Sequence, residues 1–156
     1  MKRVLLLLGV VLFFSGCESL ESLPTFSERY GKVEPKVRTV ESDYRTTYFA
    51  VQLALKRMDW VLTKSALAQG IVNGRSAVHS EDAFSGQNRQ YTIEVRLNET
   101  DDRHTEVAAV LHEQIEGDFQ AGATDRALRD HGLYDAFYSA LDQVLREGVP
   151  VPDPEK

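Results

Sequence analysis

The stretch of this 156-residue chain that comes nearest to a metal-binding spacing is His112-Glu113-Gln114-Ile115-Glu116. A zinc protease sets two histidines one helical turn apart with a glutamate beside the first, and here the second histidine is missing. The surrounding residues alternate apolar and polar, which predicts a strand. Within a strand His112 and Glu116 share a face about 13 Å apart, too far for one zinc ion. Asp101, Asp102, Glu106, Glu113, Glu116 and Asp118 form the densest acidic set. Arg103 and His104 interrupt the oxygen-ligand spacing of a calcium loop, so a charged turn is expected instead. Arg89, Arg96 and Arg103 could meet an anionic glycan or lipid headgroup, but Glu94, Glu99 and Glu106 offer them partners on the wet face of a sheet. His79, His104 and His131 sit among polar neighbours near element ends, where solvated histidines are expected. Otherwise only scattered groups such as His112, Glu94 and Ser139 could converge on a reaction. The chain has no G-x-S-x-G turn, phosphate loop or redox cysteine pair. The expectation is therefore no catalytic residue, no metal ligand, no cofactor and no enzymatic activity.

One residue does promise chemistry. Cys17 is the single cysteine, so it cannot close an internal disulfide, and a free thiol is a liability in an oxidising compartment. Ahead of it lie Lys2-Arg3, the apolar run Val4 to Phe14 and Ser15-Gly16, which is the charged start, short apolar run and small-residue exit of a secretory signal. About eleven apolar residues at 1.5 Å rise cover roughly 16 Å of a hydrocarbon core about 30 Å thick, too little to span it. Leu12-Phe13-Phe14-Ser15-Gly16-Cys17 resembles the lipobox of bacterial lipoproteins. The resemblance implies that the Cys17 thiol receives a diacylglycerol, that the signal is cut between Gly16 and Cys17, and that the new amino terminus is acylated, for instance with palmitate. Two or more chains, at about 0.8 kcal/mol per buried methylene, make such attachment stable. The next residue is Glu18 and not the aspartate associated with inner-membrane retention. By the same resemblance this implies the outer membrane, facing the periplasm.

After cleavage 140 residues remain, enough for one domain and a tether. Losing Lys2 and Arg3 takes the formal charge from −6 to −8, so the mature surface should repel nucleic acid and gain nothing from anionic headgroups. Residues 17–41 read as a lipidated N-terminus and tether, because Ser, Glu, Pro, Arg and Lys dominate and no period persists for two turns. As a flexible coil this segment would reach roughly 25–30 Å. Leu20, Leu23, Phe26 and Tyr30 could alternatively make a short helix lying on the bilayer or on a partner.

The folded domain is expected over residues 42–148. Ser42-Asp43 can cap a helix from Tyr44 to about Met58, whose stripe is Tyr44, Tyr48, Val51, Leu55 and Met58. Trp60 to Lys64, Ala68 or Gly70 to Val78, Tyr91 to Leu97 and His104 to Ile115 then read as antiparallel strands, with Ser80 to Asn88 an exposed connection and Asn98 to Arg103 a polar turn. Gly117 to Gly122 should cross from the sheet. Thr124 or Asp130 can cap a second helix with an apolar face of Leu133, Phe137, Leu141, Val144 and Leu145, stopped by Gly148 and Pro150. The tail 149–156 reads as disordered and outside the core. A helix, three or four antiparallel strands and a helix make a two-layer α+β domain behind a flexible tether.

The run of an early helix, an aromatic-led strand, a Gly-led strand, the Tyr91-Thr92-Ile93-Glu94-Val95 strand, an acidic turn and a final amphipathic helix resembles a group of small bacterial lipoproteins of uncharacterised function. The likeness covers Tyr44 to Arg146. More weakly, the chain is similar to the helix-grip domains of the lipoprotein that accompanies the outer-membrane β-barrel assembly machine. Neither resemblance carries catalytic residues. A small sheet covered by two helices leaves little room for a pocket and an exposed edge can template a partner strand, so the expectation is a lipid-anchored, non-enzymatic interaction or accessory module with an unidentified envelope protein as partner, acting through its sheet face, a strand edge or its tether. The alternative is a periplasm-facing binding domain for a small apolar or glycan ligand held between sheet and helices.

Overall fold

A computed structural model describes residues 33–80, 88–116 and 124–151. Gly16, Cys17 and most of the expected tether lie outside the described residues, as do most of the Ser80 to Asn88 connection and the Gly117 to Gly122 crossing. The strands are β1 (Lys36–Val40), β2 (Val61–Ala66), β3 (Ile71–Arg75), β4 (His79–Ser80), β5 (Asn88–Asp101), β6 (His104–Glu116) and β7 (Thr124–Leu128). The helices among the described residues are α1 (Tyr44–Arg57) and α2 (Gly132–Glu147). The class is α+β, as expected, but the antiparallel sheet has seven strands rather than three or four. Its order is β1-β6-β5-β3-β2, with β4 on β5 and β7 on β6.

Two of the additional strands replace other expectations. Lys36–Val40, assigned from sequence to the tether, pairs with Thr105 to Ala109 of β6, so the fold begins before residue 42. Thr124–Leu128, expected to lead into or cap the second helix, is instead β7, paired with Leu111 to Ile115. The cap of α2 is neither Thr124 nor Asp130 but His131.

Helix α1 starts where its sequence dictates. The Asp43 carboxylate accepts the Thr46 N–H at 2.9 Å, satisfying an orphan donor of the first turn. That bond holds the Asp43 carboxyl below its ordinary range. The helix ends in a Schellman arrangement. Asp59 adopts φ 59°, Asp59 N–H donates to Lys56 O at 3.1 Å and Trp60 N–H to Leu55 O at 3.0 Å. Aspartate here fills a position that glycine usually takes.

Alternation divides the sheet. Ile93, Val95 and Leu97 of β5 and Val107, Ala109 and Leu111 of β6 share the face beneath the helices and are buried. Glu94, Arg96 and His112 take the other face by the same parity. Phe137, Leu55, Ile93, Leu111 and Leu141 are among the largest fully buried side chains, each contributing up to about 2–3 kcal/mol. Tyr48, Val51 and Leu55 of the expected α1 stripe are buried, as are Thr47, Ala50 and Ala54, because α1 packs on α2 as well as on the sheet. Trp60 and Phe137 join the same cluster, and Val149, expected to stand outside the core, packs against it.

A single 3-10 turn, Leu67–Gln69, feeds β3 through Gly70, at φ 62°. A Cβ at Gly70 would lie 2.5 Å from the Leu97 carbonyl oxygen, so only glycine lets this turn meet β5. Leu97 N–H donates back to the Gly70 carbonyl at 2.8 Å.

Candidate functional site

Register places the polar residues. Tyr91, Glu113 and Arg126 lie abreast on β5, β6 and β7, and Arg89 stands two residues along β5 on the same face. Glu113 is buried, its side chain 3 % exposed. Its Oε1 accepts from Arg89 Nη1 at 2.8 Å and from the Tyr91 hydroxyl at 3.3 Å, while Oε2 accepts from Arg126 Nη2 at 2.7 Å. A buried carboxylate is tolerated where charge and hydrogen bonds compensate its lost water, and here donors from two flanking strands converge on it. Chemically this is a brace across three strands. Both oxygens of the carboxylate are engaged with the protein itself.

His112 faces the opposite way, as the expected strand requires. Its Nδ1 lies 3.1 Å from Asp125 Oδ1 on β7. The two described helices pack on the other side of the sheet, and Ser139 is exposed on α2, so His112, Glu94 and Ser139 are not brought together. Glu116 ends β6, and Asp118 lies outside the described residues. Asp101 closes the β5–β6 hairpin: its Oδ1 accepts the Arg103 N–H at 2.8 Å and lies 2.8 Å from His104 Nδ1. The Arg103 N–H, then His104, hold the Asp101 carboxyl below its ordinary range. Of the three arginines singled out from sequence, Arg96 pairs with Glu94 at 3.4 Å as expected, whereas Arg89 turns to Glu113. No group of three or more His, Cys, Asp or Glu residues that could hold a metal ion occurs among the described residues.

A second polar region lies where β7 and β1 meet. Both pair with the same edge of β6, Leu128 opposite Leu111 and Lys36 opposite Ala109, so the strands are collinear with a break at Val110. Two tyrosines of α2, one turn apart, stitch this seam. The Tyr134 hydroxyl accepts the Leu111 N–H at 2.9 Å and donates to Leu128 O at 2.8 Å. The Tyr138 hydroxyl donates to Lys36 O at 2.6 Å and lies 3.0 Å from Val107 O. Burial raises the pKa of both phenols, keeping them protonated donors. Outside them Lys36 pairs with Asp130, and Arg38 pairs with Asp142 at 2.7 Å while lying 4.7 Å over the Tyr138 ring. The hydrogen bond to Asp130 raises the Lys36 pKa, and the same bond lowers that of Asp130. A cleft of about 480 Å³ opens over the seam, between Lys36 to Arg38 and the start of α2.

The two regions touch through Tyr91. Its hydroxyl reaches Glu113, and its ring stands 5.3 Å from the ring of His131. His131 Nδ1 accepts the Leu133 N–H at 3.2 Å, making it the N-cap of α2. His131, expected from sequence to be merely solvated, is a cap, and the Tyr134–Tyr138 pair and the strands β1 and β7 were not singled out. The signals present were the i, i+4 tyrosines and the alternation of charge with Val or Thr in Lys36–Val40.

No protein-family model and no curated protein matches the chain. Among solved structures it is similar to the adenylate sensor from AMP-activated protein kinase, solved in complex with 5-aminoimidazole-4-carboxamide 1-beta-D-ribofuranotide. The match has 16% identity, covers 69% of this chain and 95% of that one, and has a TM-score of 0.43. A likeness so slight carries no argument about function.

Proposed function

We propose that this protein is a lipid-anchored cell-envelope protein whose folded domain serves as a non-enzymatic interaction or accessory module. The observation that carries the reading is Leu12-Phe13-Phe14-Ser15-Gly16-Cys17, a lipobox-like ending to a short apolar run, on the only cysteine of the chain. The cut falls between Gly16 and Cys17, and Glu18 assigns the anchor to the outer membrane with the domain in the periplasm. The partner is another envelope protein. The acidic balance of the mature chain disfavours nucleic acid.

The geometry supports a module over a catalyst. Its buried carboxylate is bound into a brace, and the layer between sheet and helices is filled by side chains such as Phe137, Leu55 and Leu111. The outer edge of β2 is poorly suited to a partner strand. Its register shifts between Leu62 and Lys64, and a bulge discourages edge pairing. On the opposite edge β1 and β7 pair with β6 without register shifts. We assign partner contact to this second edge.

Cys17→Ser tests the anchor. The parent should incorporate radiolabelled palmitate and fractionate with the outer membrane, and the variant should do neither. Label entering the variant would sink the reading.

A further inference from the structure

We propose that His131 is a pH-dependent N-cap whose protonation releases the first turn of α2 and, with it, the seam that holds β1. The cap bond runs from the Leu133 N–H to His131 Nδ1 at 3.2 Å, so Nδ1 must be the unprotonated, accepting nitrogen. The usual capping side chains, Ser, Thr, Asp and Asn, stay acceptors throughout the physiological range, and histidine does not. Protonation puts an N–H where the acceptor stood and a positive charge at the positive end of the helix dipole, and both effects oppose the cap.

The charged and titratable groups around the imidazole come from three elements. Lys36 and Arg38 of β1 line the cleft with Asp130, Tyr134, Tyr138 and the first-turn Asp135. The Tyr91 ring of β5 lies tilted beside the imidazole, and Arg129 precedes Asp130 in the chain. Asp130 is already held by Lys36. The cap is present while Nδ1 is unprotonated and is lost when Nδ1 takes a proton. The turn it starts contains Tyr134, whose hydroxyl bridges Leu111 and Leu128, and lies beside the Lys36–Asp130 pair. The loss therefore reaches the β7–β1 junction. The cap operates whether or not Cys17 carries lipid.

Hydrogen exchange of the full-length chain in detergent micelles, normalised to intrinsic exchange rates, tests this at pH 8 and pH 5. Two variants bracket the parent: His131→Asp caps at both pH values, and His131→Ala at neither. Protection of the peptide that begins α2 should match His131→Asp at pH 8, match His131→Ala at pH 5, and differ between these states by about fivefold. A parent that tracks one variant at both pH values, or an equal change in His131→Asp, overturns the proposal.

Discussion

β7 and β1 lie end to end on one edge of β6, five residues each, yet they are fastened by different physics. β7 is pinned by a buried charge: Arg126 shares Glu113 with Arg89, and the side chain of Glu113 is 3% exposed. β1 has one buried side chain, Val40, and otherwise depends on ladder hydrogen bonds, a tyrosine hydroxyl and ion pairs in water. Removing one partner of a buried pair leaves desolvated groups uncompensated, whereas a pair in water is readily replaced by solvent and salt. The same edge is therefore firm at one end and loose at the other.

The largest effect should come from the firm end. Glu113→Gln keeps the shape but takes the charge from between two arginines. We expect a loss of about 3 kcal/mol, kept below the upper end for buried pairs because the side chain of Arg126 is 66% exposed. Chemical denaturation measures it, and a loss under about 1 kcal/mol would erase the contrast between the strands. Next comes the seam. Tyr138→Phe removes the donor to Lys36 O and should cost about 1–2 kcal/mol, with hydrogen exchange rising in β1 and unchanged in β7. Equal increases in both strands would show that they open together. The smallest effect belongs to the ion pairs of β1: Asp130→Asn and Asp142→Asn should each leave the melting temperature close to that of the parent. Any difference should vanish as salt is raised, and one that survives 1 M salt would move β1 into the firm class.

What could be read from sequence follows the range of the interactions involved. Asp43 and the Tyr48, Val51, Leu55 stripe announce α1, because cap and period lie within a few residues. The alternation of Tyr91 to Leu97 announces β5 for the same reason. β1 hides because Lys36, Arg38 and Val37 resemble linker residues until β6, some 70 positions away, pairs with them. Glu113 reads as one more acid in a charged stretch, and only the register of β5, β6 and β7 surrounds it with Arg89, Tyr91 and Arg126. His131 looks solvated, since an N-cap histidine shares its polar company with any exposed one. Cys17 is the reverse case, conspicuous as a residue and outside the described fold.

The position of β1 also fixes how the domain would respond to force. The chain enters the described fold at Val33 and joins the sheet at Lys36. A pull delivered through the preceding residues therefore meets the Lys36 end of β1 first, where Tyr138 holds the backbone carbonyl. Directed away from the sheet, such a load breaks the β1–β6 bonds in sequence from Lys36 toward Val40 instead of sharing the strain among them. Unzipping needs less force than sliding two strands past each other. Behind it stands Glu41 to Asp43, with Ser42 O accepting the Thr105 hydroxyl at 2.9 Å and Asp43 capping α1. The first strand of the described fold can yield like the first tooth of a zipper while that stop keeps α1 and the core closed.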